Sequence, residues 1–154
     1  MARILQQHSN VTCTVFEREE SLEARAQGGC LDLHVESGQA ALIAANLFEK
    51  AKALLRYEGQ DTRVLSTTGE ILFDSIEEDH HRPEIDRKQL RQLLIDSVES
   101  GTILWNYNLQ LVVEKETGKY ELQFQNGKTA SGFDLVVGAD GAWSKGTIDN
   151  MVHF

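Results

Sequence analysis

In "FDLVVGADGAWSKG" (Phe133–Gly146), the run Leu135, Val136, Val137 breaks into Gly138-Ala139-Asp140-Gly141. An apolar run without alternation marks a strand buried on both faces, as in the parallel sheets of α/β folds. In such sheets ligands bind beyond the carboxyl ends of the strands. Asp140, set between glycines at such an end, therefore reads as a ligand contact in preference to a plain turn residue.

The segments before this strand complete the pattern. "KYELQFQNGKTAS" (Lys119–Ser131) carries the hairpin signal Asn126-Gly127, and "TILWNYNLQLVVEKE" (Thr102–Glu116) is of strand type. "DRKQLRQLLIDSV" (Asp86–Val98) is the clearest helix. Leu90, Leu93, Leu94 and Val98 share one face, Asp86 with Gln89 forms a capping box, and Arg87 and Arg91 lie four apart on a neighbouring face. "RVLSTTGEILFD" (Arg63–Asp74) reads as two short strands around Thr68-Gly69. "CLDLHV" (Cys30–Val35) reads as a short strand, followed by a helix from about Gly38 to Ala53 that Ser37 could cap. "VTCTVFER" (Val11–Arg18) reads as a strand, and "ARILQQHSN" (Ala2–Asn10) as the last turns of a helix stopped at Asn10. The order predicts an α/β fold with a parallel core sheet and an antiparallel insertion.

Composition narrows the function classes. The 154 residues suffice for one domain with a real core, and 41% apolar with 25% charged residues is ordinary for a globular protein. A net charge of −9, from 15 basic and 24 acidic side chains, argues against nucleic acid or an anionic membrane as main partner. It leaves room for an anionic cofactor, because local arginines and backbone amides hold phosphate in acidic proteins. Cys13 and Cys30 have no metal-ligand spacing and make no disulfide framework, so free thiols in a reducing compartment are expected. No run approaches the ~18 apolar residues of a membrane span. The N-terminus has no secretory h-region, and a cytoplasmic address is the plain reading.

Several polar residues carry two readings. Glu17, at the end of a strand, is either a solvated loop acid or an acceptor for the hydroxyls of a ribose. Arg25 with Gly28-Gly29 is either a tight turn beside a solvated charge or a place where backbone and guanidinium approach an anionic ligand. Asp32 and His34, at period two, would share a wet or ligand-facing side of a short strand, without the third donor a metal site needs. Arg87 and Arg91 either pair with Glu84 or Asp86 on the solvated side, or reach a phosphate or cofactor ring.

Together, "VFERE" (Val15–Glu19), "RAQGGCLDLH" (Arg25–His34), "PEIDRKQLRQLL" (Pro83–Leu94) and "DLVVGADGAWSK" (Asp134–Lys145) stand in the order and spacing of the FAD-dependent aromatic-ring hydroxylases. The chain resembles that family of flavin monooxygenases, the tetracycline-degrading members above all, from about Ala2 to Lys145. The resemblance implies that Glu17 holds the adenosine ribose with Arg18 near the adenine, and that Arg25 helps bind NADPH. It implies that Asp32 lies near the flavin, that Arg91 contacts FAD with Arg87 supporting it, and that Asp140 and Gly141 serve the FAD pyrophosphate and NADPH. In that family NADPH reduces the flavin, O2 adds to give a C4a-hydroperoxide, and a small organic substrate is hydroxylated. The cofactor carries the hard chemistry, so no catalytic nucleophile or acid–base pair is required of the protein, and none is visible.

The departures from the family pattern define further expectations. The initial strand and G-x-G-x-x-G turn are missing, as is the later Gly-Asp block. Thr147 stands where the Asp-Gly motif, continued by Ser144, should close on arginine. Residues 1–145 thus read as a partial Rossmann-like FAD-binding domain, and residues 146–154 as an unrelated tail. Two alternatives stay open: a non-catalytic truncated product or interaction module, and a nicotinamide-dependent Rossmann dehydrogenase. The two-arginine helix and the antiparallel insertion argue against the second.

Overall fold

The computed structural model describes residues 1–26, 28–58, 61–75, 81–115, 118–141 and 152–153. In chain order the elements are helix α1 (Ala2–Leu5), strands β1 (Val15–Phe16) and β2 (Cys30–Asp32), a π-helical turn (Val35–Gln39), and helices α2 (Ala40–Ala44) and α3 (Phe48–Lys52). Strands β3 (Thr62–Leu65), β4 (Ile71–Ser75) and β5 (Glu84–Asp86) lead into helix α4 (Arg87–Asp96). Then come β6 (Ile103–Leu104), β7 (Leu109–Glu114), β8 (Tyr120–Phe124), β9 (Thr129–Phe133), β10 (Val137–Gly138) and β11 (Val152–His153). The fold mixes helix and strand, as expected of an α/β chain. Among the described residues, parallel pairing is confined to β1 with β6 and β10 with β11; β2–β5, β3–β4 and β7–β8–β9 are antiparallel. No helix among those residues is long and apolar enough to cross a membrane.

The chain divides into two compact units, Met1–Cys13 with Ala26–Glu99, and Thr14–Arg25 with Ser100–Phe154. In the first, Leu33, Leu42, Ala45, Leu47, Ala51 and Ile85 form the core, with Leu90 and Leu93 of α4 packed against it. Of the apolar face read from α4, Leu90 and Leu93 pack inward, while Leu94 is exposed. Each buried Leu or Ile stabilises by roughly 1.5–3 kcal/mol relative to exposure. The expected continuous helix from Gly38 to Ala53 is instead broken. Asn46 adopts a left-handed φ of 57°, which asparagine tolerates, and the chain turns there so that Leu47 is buried. Ser37 does not cap it, because the helical region already begins at Val35 with His34 in the N-cap position. The first helix ends at Leu5 rather than Asn10, with Gln6 as its C-cap.

In the second unit, β8 alternates as a half-buried strand should, with Leu122 and Phe124 in the core beside Val112 of β7. Phe16 of β1 joins them, its ring centroid 4.9 Å from that of Phe124, and Tyr107 meets Phe124 edge-on at 4.9 Å. Such aromatic pairs contribute about 0.5–1.5 kcal/mol each beyond their burial. The hairpin expected at Asn126-Gly127 is present, with Gly127 at φ 78°. The strand expected over Thr102–Glu116 is interrupted where Asn106 turns to φ 60°. The strand read as buried on both faces is shorter than expected: β10 has two residues, and Leu135 before it is 62% exposed.

Candidate functional site

In the first unit the structure joins two of the segments singled out in the sequence. Strand β2 pairs antiparallel with β5 in the register Cys30↔Asp86, Leu31↔Ile85, Asp32↔Glu84. Leu33 N–H continues the ladder to the Pro83 carbonyl at 2.9 Å. Arg87, the residue after β5, donates its backbone N–H to the Gly29 carbonyl at 3.1 Å. Gly29 sits at φ 82°, a conformation that favours glycine, where its carbonyl meets the start of α4. Asp32 and Arg87 are exposed and Arg91, one turn further along α4, is half-buried. These three predicted residues therefore stand on directly linked elements.

Glu84 and Asp86, the acids weighed as partners of Arg87 and Arg91 in the solvated reading, both meet a third arginine. Arg56 holds both acids, with Nη2 3.2 Å from Glu84 Oε2 and Nη1 2.9 Å from Asp86 Oδ2. Its backbone also exchanges two 2.8 Å hydrogen bonds with Glu84. The capping box fails for the same reason: Asp86 occupies the N-cap position of α4 but makes no side-chain cap bond, its carboxylate being drawn to Arg56. Nothing near Arg56 in sequence announces this role, since Glu84 lies 28 residues away. The hydrogen bond to Glu84 is the main cause that raises the Cys30 thiol above its ordinary range, which makes it a poor nucleophile.

Asp32 and His34 do not share a strand face as expected. Strand β2 ends at Asp32, Leu33 is buried, and His34 lies at the start of the π-helical turn with Nδ1 3.9 Å from Glu36 Oε1. The turn packs closely on Leu33: a Cβ on Gly38 would lie 2.7 Å from Leu33 Cδ2.

In the second unit Glu17 follows β1, its N–H donating to Leu104 O at 2.9 Å and its carbonyl accepting from Tyr107 N–H at 2.8 Å. One carboxylate oxygen, Oε1, accepts the Glu19 N–H at 3.0 Å, so the side chain caps its own turn. Arg18 is exposed, with Nε 3.8 Å from Glu19 Oε1. Arg25 is exposed in the connection that follows, and it belongs to this unit, whereas Gly28 and Gly29 belong to the other. Asp140 and Gly141 are exposed just past β10, Gly141 at φ 85°. The remaining positions of the Asp-Gly motif, Ser144 and Thr147, lie outside the described residues. Among the described residues no group of three His, Cys, Asp or Glu could hold a metal ion.

No family model matches the chain. It is 34% identical over 145 residues to the monooxygenase asqM of Emericella nidulans, an alignment that takes in 86% of this chain and 32% of that one. A solved structure from Photorhabdus luminescens subsp. laumondii, described as an FAD-containing monooxygenase, superposes with a TM-score of 0.78 at 25% identity, over 94% of this chain and 36% of that one. The tetracycline destructase Tet(51) superposes with a TM-score of 0.65 at 26% identity over the same shares. The chain is thus similar to monooxygenases, one of them described as FAD-containing, and it spans about a third of the length of the relatives it matches.

Proposed function

We propose that this chain forms part of the FAD-binding portion of an NADPH-dependent flavin monooxygenase that uses O2 to hydroxylate a small organic substrate. The observation that carries the reading is the β2–β5 ladder, which sets Asp32 beside the strand that runs into Arg87 and Arg91. The names of the relatives supply the reaction class, monooxygenase in one case and FAD-containing monooxygenase in the other.

The donor set suits FAD. The guanidiniums of Arg87 and Arg91 match an anionic or carbonyl-bearing cofactor. Glu17 retains carboxylate capacity for a ribose diol beyond the bond its Oε1 accepts. Gly29 and Gly141, both at positive φ, let backbone approach a ligand closely. In this assignment Arg91, supported by Arg87, and Asp32 hold the flavin, Glu17 the adenosine ribose, and Arg18 the adenine edge. Asp140 and Gly141 serve the pyrophosphate and NADPH, and Arg25 serves NADPH. Bound FAD would supply hydride acceptance and oxygen activation, and the protein's side chains bind, orient and exclude water. A Rossmann-like character over residues 1–145, with 146–154 as a separate tail, and a cytoplasmic setting belong to the same proposal.

The test is to purify the chain and titrate it with FAD. Flavin absorbance that stays with the protein after desalting, with quenched flavin fluorescence, is the expected result. A colourless protein that takes up no added FAD would overturn the reading.

A further inference from the structure

Gln39 closes the π-helical turn, and its side-chain amide is spent on two distant backbone groups. Nε2 donates to the Leu33 carbonyl at 2.7 Å and to the His81 carbonyl at 3.0 Å. Leu33 directly follows Asp32 at the end of β2, and His81 begins the segment that enters β5 through the fully buried Pro83. Both N–H donors of one amide therefore join the segment that carries Asp32 to the segment that carries Arg87 and Arg91. The π-helical turn makes this possible. It packs on Leu33 at Gly38, where no Cβ intervenes, and so returns the Gln39 side chain to the strand it has just left. Single π-turns of this kind recur at functional sites because they redirect one side chain out of helical register.

We propose that Gln39 is a positioning residue: it clasps the end of β2 to the approach of β5 and so fixes the setting of Asp32 relative to Arg87 and Arg91. Its consequence for cofactor affinity rests on the FAD-binding reading above. The clasp itself does not. Neither carbonyl can be satisfied by an acceptor, so the group at position 39 must donate.

Gln39→Glu keeps the size and replaces the donating amide with an accepting carboxylate. At neutral pH the Leu33 amide, which bonds Pro83, should lose about tenfold in hydrogen-exchange protection. If the chain binds FAD, the dissociation constant should rise by roughly the same factor, with little change in the global melting midpoint. Lowering the pH through the carboxylate range should restore part of the protection, because the neutral acid regains one O–H donor. Gln39→Met, which never donates, should show the loss without the pH-dependent recovery, and it serves as the second variant should the carboxylate prevent folding. Unchanged Leu33 protection in both variants would overturn the clasp. Faster exchange with unchanged FAD affinity would overturn the positioning role. A wild-type chain that binds no FAD would defeat the flavin reading, and the clasp would then stand or fall on the exchange result alone.

Discussion

Arg56 Nη1 lies 2.9 Å from Asp86 Oδ2, so the carboxylate at the N-cap position of α4 is tied to a remote cation instead of the helix's own amides. The same guanidinium reaches Glu84, and one side chain thereby compensates two acids that flank the buried Ile85.

Arg56→Met should lower the stability of the chain slightly, as expected for partly exposed ion pairs that solvent screens. Part of the loss is offset, because the freed Asp86 can then accept a bond from the first turn of α4. Arg56→Lys should recover only some of the difference, since an ammonium cannot fork between two carboxylates. Urea midpoints of the three proteins at one pH check this. A methionine variant as stable as the parent would show that the two ion pairs add no net stability over the cap that Asp86 is then free to make.

Gly38→Ala sets two effects against each other. Alanine in a helical turn is favoured over glycine by about 0.5–1 kcal/mol. The added Cβ, however, would lie 2.7 Å from Leu33 Cδ2 and 3.3 Å from Leu33 Cβ. Leu33 is buried, so its side chain has little room to retreat. Overpacking of this kind costs about 1–3 kcal/mol, so the clash should win and the variant should be destabilised. A denaturation midpoint at or above the parent's would reverse that ranking.

The hairpin β3–β4 should respond to acid. Hydrogen bonds from Arg63, with Nη2 2.8 Å from Asp74 Oδ2, hold the Asp74 carboxyl below its ordinary range. A carboxylate depressed in the folded state stabilises above its unfolded pKa, and that contribution is lost as pH falls through the folded pKa. Amide exchange in the hairpin should therefore quicken, after correction for intrinsic rates, as the pH drops below the usual aspartate range. Asp74→Asn should flatten this dependence, and an unaltered profile in that variant would exclude Asp74 as its source.

The hairpins and α4 were legible because their signals are local. Asn126-Gly127 specifies a turn, and Leu90 and Leu93 repeat at helical spacing. What was not legible depends on distant partners. Nothing within a few residues of Asp86 shows that Arg56 takes its carboxylate, so a capping box is the natural reading of Asp86 and Gln89. Gln39 sits in an expected regular helix, and only the π-helical turn reveals that its amide points back to Leu33 and His81. The break at Asn46 was hidden by an asparagine that a helix also accepts at modest cost. Of the site residues, Asp32, Arg87 and Arg91 fall in one unit and Glu17, Arg18, Arg25, Asp140 and Gly141 in the other. Linear motif order supplied that set of residues, but local patterning could not supply the division.

Glu17 allows its local and ligand roles to be separated. Oε1 accepts the Glu19 N–H, a bond that a glutamine carbonyl oxygen can also accept. Glu17→Gln should therefore keep the turn and leave stability within about 0.5 kcal/mol of the parent. In the proposed site it would replace a charged acceptor for the ribose hydroxyls with a neutral one. Hydrogen bonds to charged groups are stronger by about 1 kcal/mol, so FAD affinity should fall roughly five- to tenfold. Glu17→Ala removes both bonds and should lose stability as well as affinity. Flavin titration and thermal melting of the two variants, side by side, decide the matter. If glutamine binds FAD as tightly as glutamate while alanine only melts earlier, Glu17 serves its own turn and the ribose role is wrong.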